Sequence, residues 1–211
     1  MSKVISFIKP VNYLEMLRTG LAPAAKNFDI PPKETIRFND EKGEHYCWFL
    51  QHGSLSIYRE SNELLLELVS SPVLLTFAND LIPTTQQYHM VTETRCKGFY
   101  LPVDLAFEQI DKHQLWKAYS HWQAWQMRIF EWRDACFTGA STYAQIRSTL
   151  LIMADWDKEI RSKIGVINFI QKRTHISRSV IAEILAALRK GNYIEMSKGK
   201  LIAVNRLPNN Y

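Results

Sequence analysis

The sequence lacks any apolar run of about 18 residues, the length that a membrane-spanning helix requires. At the N-terminus, the apolar stretch in MSKVISFIKPV is short and is interrupted by polar residues, unlike the core of a secretory signal peptide. We therefore expect a cytoplasmic protein without a membrane partner.

Cysteine is also scarce, since the 211 residues contain only Cys47, Cys96 and Cys136. An odd number of widely spaced cysteines does not predict a disulfide framework. The sequence has no CxxC, HExxH or Cys/His cluster, so we expect no structural zinc, no iron–sulfur centre and no other cofactor. Haem ligation would need one of three isolated histidines, a residue type whose usual role is structural: His45, His52 and His89.

Acidic residues become rare in the last third of the chain. Residues 144–211 hold 12 Lys and Arg against 5 Asp and Glu, whereas residues 1–143 hold 14 against 16. The net charge of +5 therefore arises from the C-terminal part. This asymmetry is typical of a sensor or scaffold joined to a domain that binds a polyanion, although a solubilising surface would give the same charge.

Residues 33–101 show the pattern of a β domain. Short apolar runs, such as residues 46–50 and 64–69, alternate with turn residues. Several short strands at close spacing predict an antiparallel barrel or sandwich. Before them, a short helix is expected over residues 11–19, ended by Gly20.

After Pro102 the apolar spacing becomes helical. Residues 103–111 predict one helix and residues 113–137 a longer one. An apolar stripe runs along the longer helix at the alternating three- and four-residue spacing of a helix–helix seam: Ala118, Trp122, Trp125, Ile129, Trp132 and Cys136. The stripe predicts either a dimerisation helix or a helix packed on its own β domain. The small polar run at residues 138–142 is then the hinge between domains.

Residues 165–204 carry the pattern of a winged helix-turn-helix. Residues 165–173 predict a first helix, and residues 174–176 a turn. Ser177 opens a second helix, because its hydroxyl can accept hydrogen bonds from the N–H groups of the first turn. The buried face of this helix is predicted from five apolar residues: Val180, Ile181, Ile184, Leu185 and Leu188.

Gly191 and Asn192 end the second helix, where a left-handed backbone is needed. Strands over residues 193–196 and 201–204 then predict a hairpin, the wing. Its turn carries two lysines at the tip.

The exposed face of the second helix combines small and polar residues, which suits insertion into the major groove of DNA. Arg178 is expected to pair with guanine, the commonest specific contact. We expect base contacts from Arg178, Ser179, Glu183, Ser177 and Ala182. We expect phosphate contacts, which fix register without reading sequence, from Lys172, Arg173, Thr174, Lys198 and Lys200. A solvated basic face would show the same pattern.

These residues resemble the recognition helix of the Crp/Fnr superfamily of bacterial transcription regulators. Ser177-Arg178-Ser179 is similar to the opening of that helix, and residues 188–194 match the downstream L-x-x-x-N-x-I pattern. The resemblance places Arg178, Ser179 and Glu183 at base-reading positions. Ser179 stands where the superfamily usually has Glu, and Glu183 where Arg is frequent, so the resemblance implies a different DNA target.

A weaker resemblance extends over the whole chain and implies the fold class. The expected fold is α+β, with an N-terminal cyclic-nucleotide-binding-like β-roll (jelly roll), a long connecting helix and a C-terminal winged helix-turn-helix. The implied domains are residues 1–112, 113–142 and 143–211. The resemblance also implies a homodimer bound to double-stranded DNA, with RNA polymerase as a further partner.

Residues 161–208 resemble more specifically an enterobacterial type of regulator, the inhibitors of hydrogen peroxide resistance. This resemblance implies a transcriptional role linked to oxidative stress. Residues 71–90 depart from the superfamily's cyclic-nucleotide binders, because they contain none of the Gly, Glu and Arg that hold the cyclic phosphate. We therefore expect no binding of cyclic nucleotide.

Cys96 is the candidate redox thiol. Its neighbours Arg95 and Lys97 are cations, which favour the reactive thiolate. Adjacent residues on a strand point to opposite faces, however, and this weakens the hypothesis.

Two other functional classes remain open. A protein-interaction adaptor would use the winged helix without DNA. An enzyme on a cupin-like barrel would need a His-rich metal site, and the sequence has no HxH pattern to supply one. We therefore expect no enzyme.

Overall fold

A computed structural model of the chain describes residues 8–75 and 85–208. This described part divides into two compact units, one ending at Arg128 and the other beginning at Ile129. Across these ranges, no helix has the length and apolar character needed to cross a bilayer.

The N-terminal unit is built on two antiparallel sheets of four strands each. Its strands are β1 (Lys26–Ile30), β2 (Thr35–Arg37), β3 (Tyr46–His52), β4 (Ser54–Arg59), β5 (Leu64–Ser70), β6 (Val73–Leu75), β7 (Tyr88–Thr92) and β8 (Cys96–Pro102). One sheet has the order β1-β8-β3-β6 and the other β2-β7-β4-β5. Apart from the hairpin of β4 and β5, neighbouring strands in the two sheets are not consecutive in the chain, so the chain crosses between sheets as in a jelly roll.

A core of large apolar side chains lies between the two sheets. Phe49 and Phe99, for example, are both buried and stack with ring centroids 5.0 Å apart. Burial of each such side chain contributes about 1.5–3 kcal/mol. Helices complete the unit: α1 (Val11–Leu21), a 3₁₀ turn (Ala22–Ala24), α2 (Val103–Lys112) and the start of α3 (Trp116–Phe137).

The first helix does not end at Gly20, as the sequence predicts, but continues to Leu21. Gly20 is buried, and a Cβ there would lie 2.4 Å from Leu115 Cδ1. Glycine therefore allows close packing at this position and does not stop the helix. Strand β1 lies before the predicted β region and pairs along its whole length with β8.

The long helix begins three residues later than predicted, because α2 needs its own termination. Gln114 has a left-handed backbone, with φ 54°, and Leu115 N–H donates to Ile110 O at 2.8 Å. This pattern closes α2 and redirects the chain, so that α3 starts at Trp116.

The C-terminal unit contains the end of α3, four further helices and a hairpin. These elements are α4 (Thr142–Ala154), α5 (Lys158–Lys163), α6 (Val166–Thr174), α7 (Arg178–Lys190), β9 (Ile194–Ser197) and β10 (Lys200–Val204). Ser141 caps α4, since its side chain accepts a hydrogen bond from Ala144 N–H at 3.2 Å. The predicted order of helix, turn, helix and wing is confirmed, and α5 is an addition to it.

Candidate nucleic-acid interface

Helices α6 and α7 form the helix-turn-helix, and the turn between them uses a left-handed residue. His175 takes this conformation, with φ 60°, and its N–H donates to Gln171 O at 2.8 Å. Ser177 then caps α7, since its Oγ accepts a hydrogen bond from Val180 N–H at 3.4 Å. The predicted turn and the predicted cap are confirmed.

Helix α7 has one buried face and one exposed face. Its buried side chains are Ile181, Ile184, Leu185 and Leu188. Val180 was predicted on the same face but is 38% exposed, because it lies at the edge of the stripe centred on Ile181 and Leu188. The residues of the opposite face are all exposed: Arg178, Ser179, Ala182, Glu183 and Ala186.

A single core supports α7 from beneath. It includes Ile146, Leu150 and Met153 of α4, Phe169 and Ile170 of α6, and Ile194 and Leu201 of the wing. Helix α6 packs on both α4 and α7, and the wing packs on α4 and α7. The exposed face of α7 is therefore backed by a packed core.

The wing is a two-stranded hairpin with a tight turn. Lys198 and Gly199 both have left-handed backbones, with φ 47° and 76°, which is the geometry of a type I′ turn. Val166 N–H donates to Gly199 O at 3.0 Å, and Lys200 Nζ donates to Lys163 O. These two bonds tie the wing to the start of α6 and the end of α5.

Some of the predicted phosphate contacts have exposed side chains, and others already bond to backbone groups of the chain. Lys172 and Lys198 are exposed, as a phosphate contact requires. Lys200 is half-buried and engages a backbone carbonyl with its ammonium group. Thr174 donates its hydroxyl to Ile170 O at 2.7 Å, and its oxygen accepts from Ile176 N–H at 3.2 Å. Its hydroxyl therefore stabilises the turn.

The predicted phosphate contact of Arg173 is wrong in this structure. Arg173 is only 1% exposed, and its guanidinium lies over two rings, 5.1 Å from the centroid of Phe137 and 6.0 Å from that of Phe169. A guanidinium is weakly hydrated and stacks on aromatic faces, which makes this burial possible. Arg173 is a packing residue of the C-terminal unit.

Arg178 extends from the exposed face of α7 back towards α6. Its Nη1 makes a close hydrogen bond to Asn168 Oδ1 and a longer one, 3.4 Å, to Gln171 Oε1. The sequence-based prediction included Arg178 but missed Asn168. The signal was available in principle, since Asn168 and Gln171 are three residues apart and share a face of the predicted helix.

The apolar stripe on α3 does not face one environment. Ala118 and Trp122 are completely buried in the N-terminal unit, and Trp122 Nε1 donates to Leu74 O at 3.0 Å. For these two residues the predicted dimer contact is wrong, because they already pack on the β domain. Trp125, Ile129, Trp132 and Cys136 are half-buried. Outside the stripe, Met127 and Phe130 of the same helix are 59% and 50% exposed.

The environment of Cys96 does not suit a reactive thiol. Cys96 is buried, and its single S–H can donate to Ser54 O, 3.3 Å from Sγ, or to Thr94 O, 3.4 Å from Sγ. Burial raises the pKa of the thiol to about 11, and burial also raises the pKa of Cys47 to about 12. Arg95 points away and pairs with Asp29, with Nε and Oδ1 2.6 Å apart. The structure thus contradicts the predicted redox role of Cys96.

The stretch predicted not to bind cyclic nucleotide, residues 71–90, lies in part outside the described residues, since 76–84 are not included. Within the described ranges, no three His, Cys, Asp or Glu side chains come together in a way that could hold a metal ion.

Comparison with known proteins connects this geometry to a family. A family model described as winged helix-turn-helix DNA binding matches residues 142–209. The inhibitor of hydrogen peroxide resistance of Escherichia coli (strain K12) is 40% identical over 208 residues, covering 99% of this chain and 100% of that protein.

Two solved structures show the same fold at low sequence identity. The c-di-GMP-responsive global regulator CLP of Xanthomonas campestris matches with a TM-score of 0.72 and 13% identity, covering 92% of this chain and 99% of that one. A transcriptional regulator of the Crp/Fnr family from Eubacterium rectale matches with a TM-score of 0.68 and 14% identity, covering 90% and 89%. The predicted fold class is confirmed. Because the 40% identity extends over nearly the whole length of both chains, this chain belongs to the family of proteins named inhibitor of hydrogen peroxide resistance and has the fold of Crp/Fnr regulators.

Proposed function

We propose that the chain is a sequence-specific DNA-binding transcription regulator that reads the major groove with α7. The observation that carries this proposal is the arrangement of α7, whose capped N-terminus and small, polar face are exposed while the opposite face is locked into a core. A major groove about 12 Å wide admits such a helix. The match of residues 142–209 to a DNA-binding family supports the same function.

Base reading is assigned to the N-terminal half of α7. Arg178 donates to O6 and N7 of guanine, and Glu183 accepts from the amino group of cytosine. Ser177 and Ser179 supply short hydroxyls that suit either donor or acceptor, and Ala182 contacts a thymine methyl group.

Phosphate contacts come from basic residues that flank α7. Lys172 is exposed on α6 and Lys198 at the wing tip, in the elements that precede and follow α7 in the chain. Lys200 joins them when its ammonium leaves the Lys163 carbonyl for a phosphate. These contacts fix the register of α7 and make binding depend on salt.

The regulator acts as a homodimer formed along α3. The residues available for the seam are the half-buried Ile129, Trp132 and Cys136, with the exposed Phe130 beside Ile129. A dimer places two α7 helices about 34 Å apart on an inverted repeat. In the cell the bound dimer then contacts RNA polymerase or excludes it from the promoter.

The base-reading role is tested by Arg178→Ala, with Arg189→Ala as a control that removes the same charge from the other end of α7. On a duplex selected by the protein, Arg178→Ala is expected to cost about 1–3 kcal/mol, with a much smaller loss on unrelated DNA. Arg189→Ala should leave the preference between the two duplexes unchanged. If Arg178→Ala lost the same affinity for both duplexes, base reading would be refuted. If the wild-type protein bound no DNA at all, a protein-interaction adaptor would be favoured.

The name of the relatives supports a role in survival of oxidative stress. The test is expression of this chain in an Escherichia coli strain that lacks its own inhibitor of hydrogen peroxide resistance. Wild-type chain is expected to lower survival after a hydrogen peroxide pulse, whereas Arg178→Ala is not. If both lower survival equally, the effect does not pass through specific DNA binding.

The N-terminal β-roll serves as a dimer scaffold that does not bind cyclic nucleotide, and the chain carries no enzymatic activity. Support comes from the composition of residues 71–90, which offer no Arg, Glu or Gly to an anionic phosphate. Titration calorimetry with cyclic AMP and, separately, with c-di-GMP is expected to give no heat of binding. Saturable heat with either nucleotide would contradict this part of the proposal.

A further inference from the structure

The contact between Arg178 and α6 gives Asn168 a place in DNA recognition. Arg178 lies at the first position of α7, and its Nη1 donates to two amide oxygens, Asn168 Oδ1 and Gln171 Oε1. Both acceptors belong to α6 and are three residues apart, so they present a single surface to the guanidinium. Asn168 itself is exposed in the first turn of α6.

The two contacts with α6 leave the Nε and Nη2 nitrogens of the guanidinium available for a base. A guanidinium carries five N–H donors, and both contacts with α6 use Nη1. Among the described residues, Nε and Nη2 of Arg178 make no hydrogen bond. These two nitrogens form the side-on edge, whose parallel donors match the paired acceptors O6 and N7 of guanine.

The chemistry of the acceptors also suits a residue that must still bind DNA. Asn168 and Gln171 are neutral amides, so they orient the guanidinium without cancelling its charge. A carboxylate at either position would form an ion pair with Arg178 and would repel the phosphate backbone. A long side chain that is already oriented loses less rotational freedom when it binds.

We propose that Asn168, assisted by Gln171, is a positioning residue that sets base specificity by aiming the Nε–Nη2 edge of Arg178 into the major groove. The proposal rests on the proposed function, because it requires Arg178 to read a base.

The test measures binding of full-length protein to a duplex recovered by selection from a random-sequence pool, and to a set of duplexes that each carry one substituted base pair. Four proteins are compared: wild type, Asn168→Ala, Arg178→Ala and the double variant. Asn168→Ala is expected to weaken binding to the selected duplex by about three- to tenfold. It should flatten the preference at the base pair where Arg178→Ala flattens it, and the double variant should bind no worse than Arg178→Ala alone.

Two further variants separate positioning from a phosphate contact. Lys172→Ala, on the same helix, is expected to weaken binding to every duplex by the same factor. Asn168→Asp keeps the acceptor oxygen and adds a negative charge, so it should keep the base preference while weakening binding to every duplex.

The proposal is overturned if Asn168→Ala weakens all duplexes equally, as Lys172→Ala does, or leaves the base preference intact while Arg178→Ala removes it. In either case base reading by Arg178 stands and only the role of Asn168 fails. If Arg178→Ala itself leaves every preference unchanged, the proposed base reader fails and the role of Asn168 falls with it.

Discussion

Lys172 and Arg173 are neighbours in sequence, yet their cations have opposite environments. The ammonium group of Lys172 belongs to an exposed residue, whereas Arg173 is buried with its guanidinium over the rings of Phe137 and Phe169. The helix spacing explains the difference, because Arg173 lies on the same face of α6 as the buried Val166, Phe169 and Ile170. Lys172 is exposed, as the proposed phosphate contact requires, and Arg173 packs inside the C-terminal unit.

Alanine substitutions at these two positions should therefore separate stability from binding. Arg173→Ala is expected to lower the free energy of unfolding by about 2 kcal/mol, since it removes a desolvated cation from two aromatic faces. Lys172→Ala should leave unfolding unchanged and reduce the slope of log affinity against log salt by about one. Urea unfolding followed by circular dichroism, and DNA titrations at several salt concentrations, measure the two effects. If Arg173→Ala instead reduced the salt slope and left unfolding unchanged, Arg173 would have to leave the core.

The buried thiols should be inert in the folded protein. Burial raises the pKa of Cys96 from 9.0 to about 11, so the thiol stays protonated at neutral pH. Iodoacetamide at about pH 8 is expected to modify Cys47 and Cys96 only after unfolding, as peptide mass spectrometry would show. Rapid modification of Cys96 in the native protein would restore its redox role.

The same pKa shift links these thiols to stability at alkaline pH. A thiol with a folded-state pKa above its unfolded value contributes stability below the unfolded pKa and loses it as the pH rises. For Cys96 this window runs from pH 9.0 to about 11. The difference in free energy of unfolding between wild type and Cys96→Ala should therefore become smaller as the pH increases through this range.

At the scale of single residues, local chemistry made some roles predictable. The cap at Ser177 and the exposure of Arg178 follow from helical spacing and hydrogen-bonding capacity. The role of Arg173 could not be read from its charge, because charge alone suggests solvent. Its burial depends on Phe137, which is 36 positions earlier and meets Arg173 only in the folded unit.

Helix α3 shows how a single apolar stripe can serve more than one purpose. Its early members, Ala118 and Trp122, are completely buried against the β domain, while the later ones are half-buried. Met127 and Phe130, outside the stripe, are exposed apolar residues of the same helix. The seven-residue periodicity predicted a helix with an apolar face, but it did not show which part packs within the chain.

Two substitutions in α3 should have different effects. Trp122→Ala is expected to lower the free energy of unfolding by about 3–5 kcal/mol, because it leaves a cavity and frees the Leu74 carbonyl. Phe130→Glu should leave the fold intact and convert the dimer to a monomer, as light scattering would show. Lys117→Glu, on another face of the same helix, serves as the charge control. A stable dimer of Phe130→Glu would place the seam elsewhere.

Some elements carried too little local signal to be predicted. Helix α5 has six residues, KEIRSK, with no room for apolar periodicity. Strand β1 lies between prolines and is held at a sheet edge by β8 alone. By contrast, α7 and the wing combine a cap, a repeated apolar spacing and a turn with a glycine, and each of these signals agrees with the others.

At the scale of the whole molecule, the positive charge is concentrated within the C-terminal unit. The basic excess lies in residues 144–211, which include the winged helix matched by the DNA-binding family model. A dimer would present Lys172, Lys198 and Lys200 twice. About six neutralised phosphates would give a slope of about −5 for log affinity against log salt.

If α7 reads DNA sequence from a dimer, the purified protein should select one kind of duplex from a random-sequence pool. The expected duplex is an inverted repeat with half-sites centred about 10 base pairs apart, bound with an affinity that falls steeply as salt increases. Recovery of no enriched sequence, with weak binding that does not respond to salt, would contradict it.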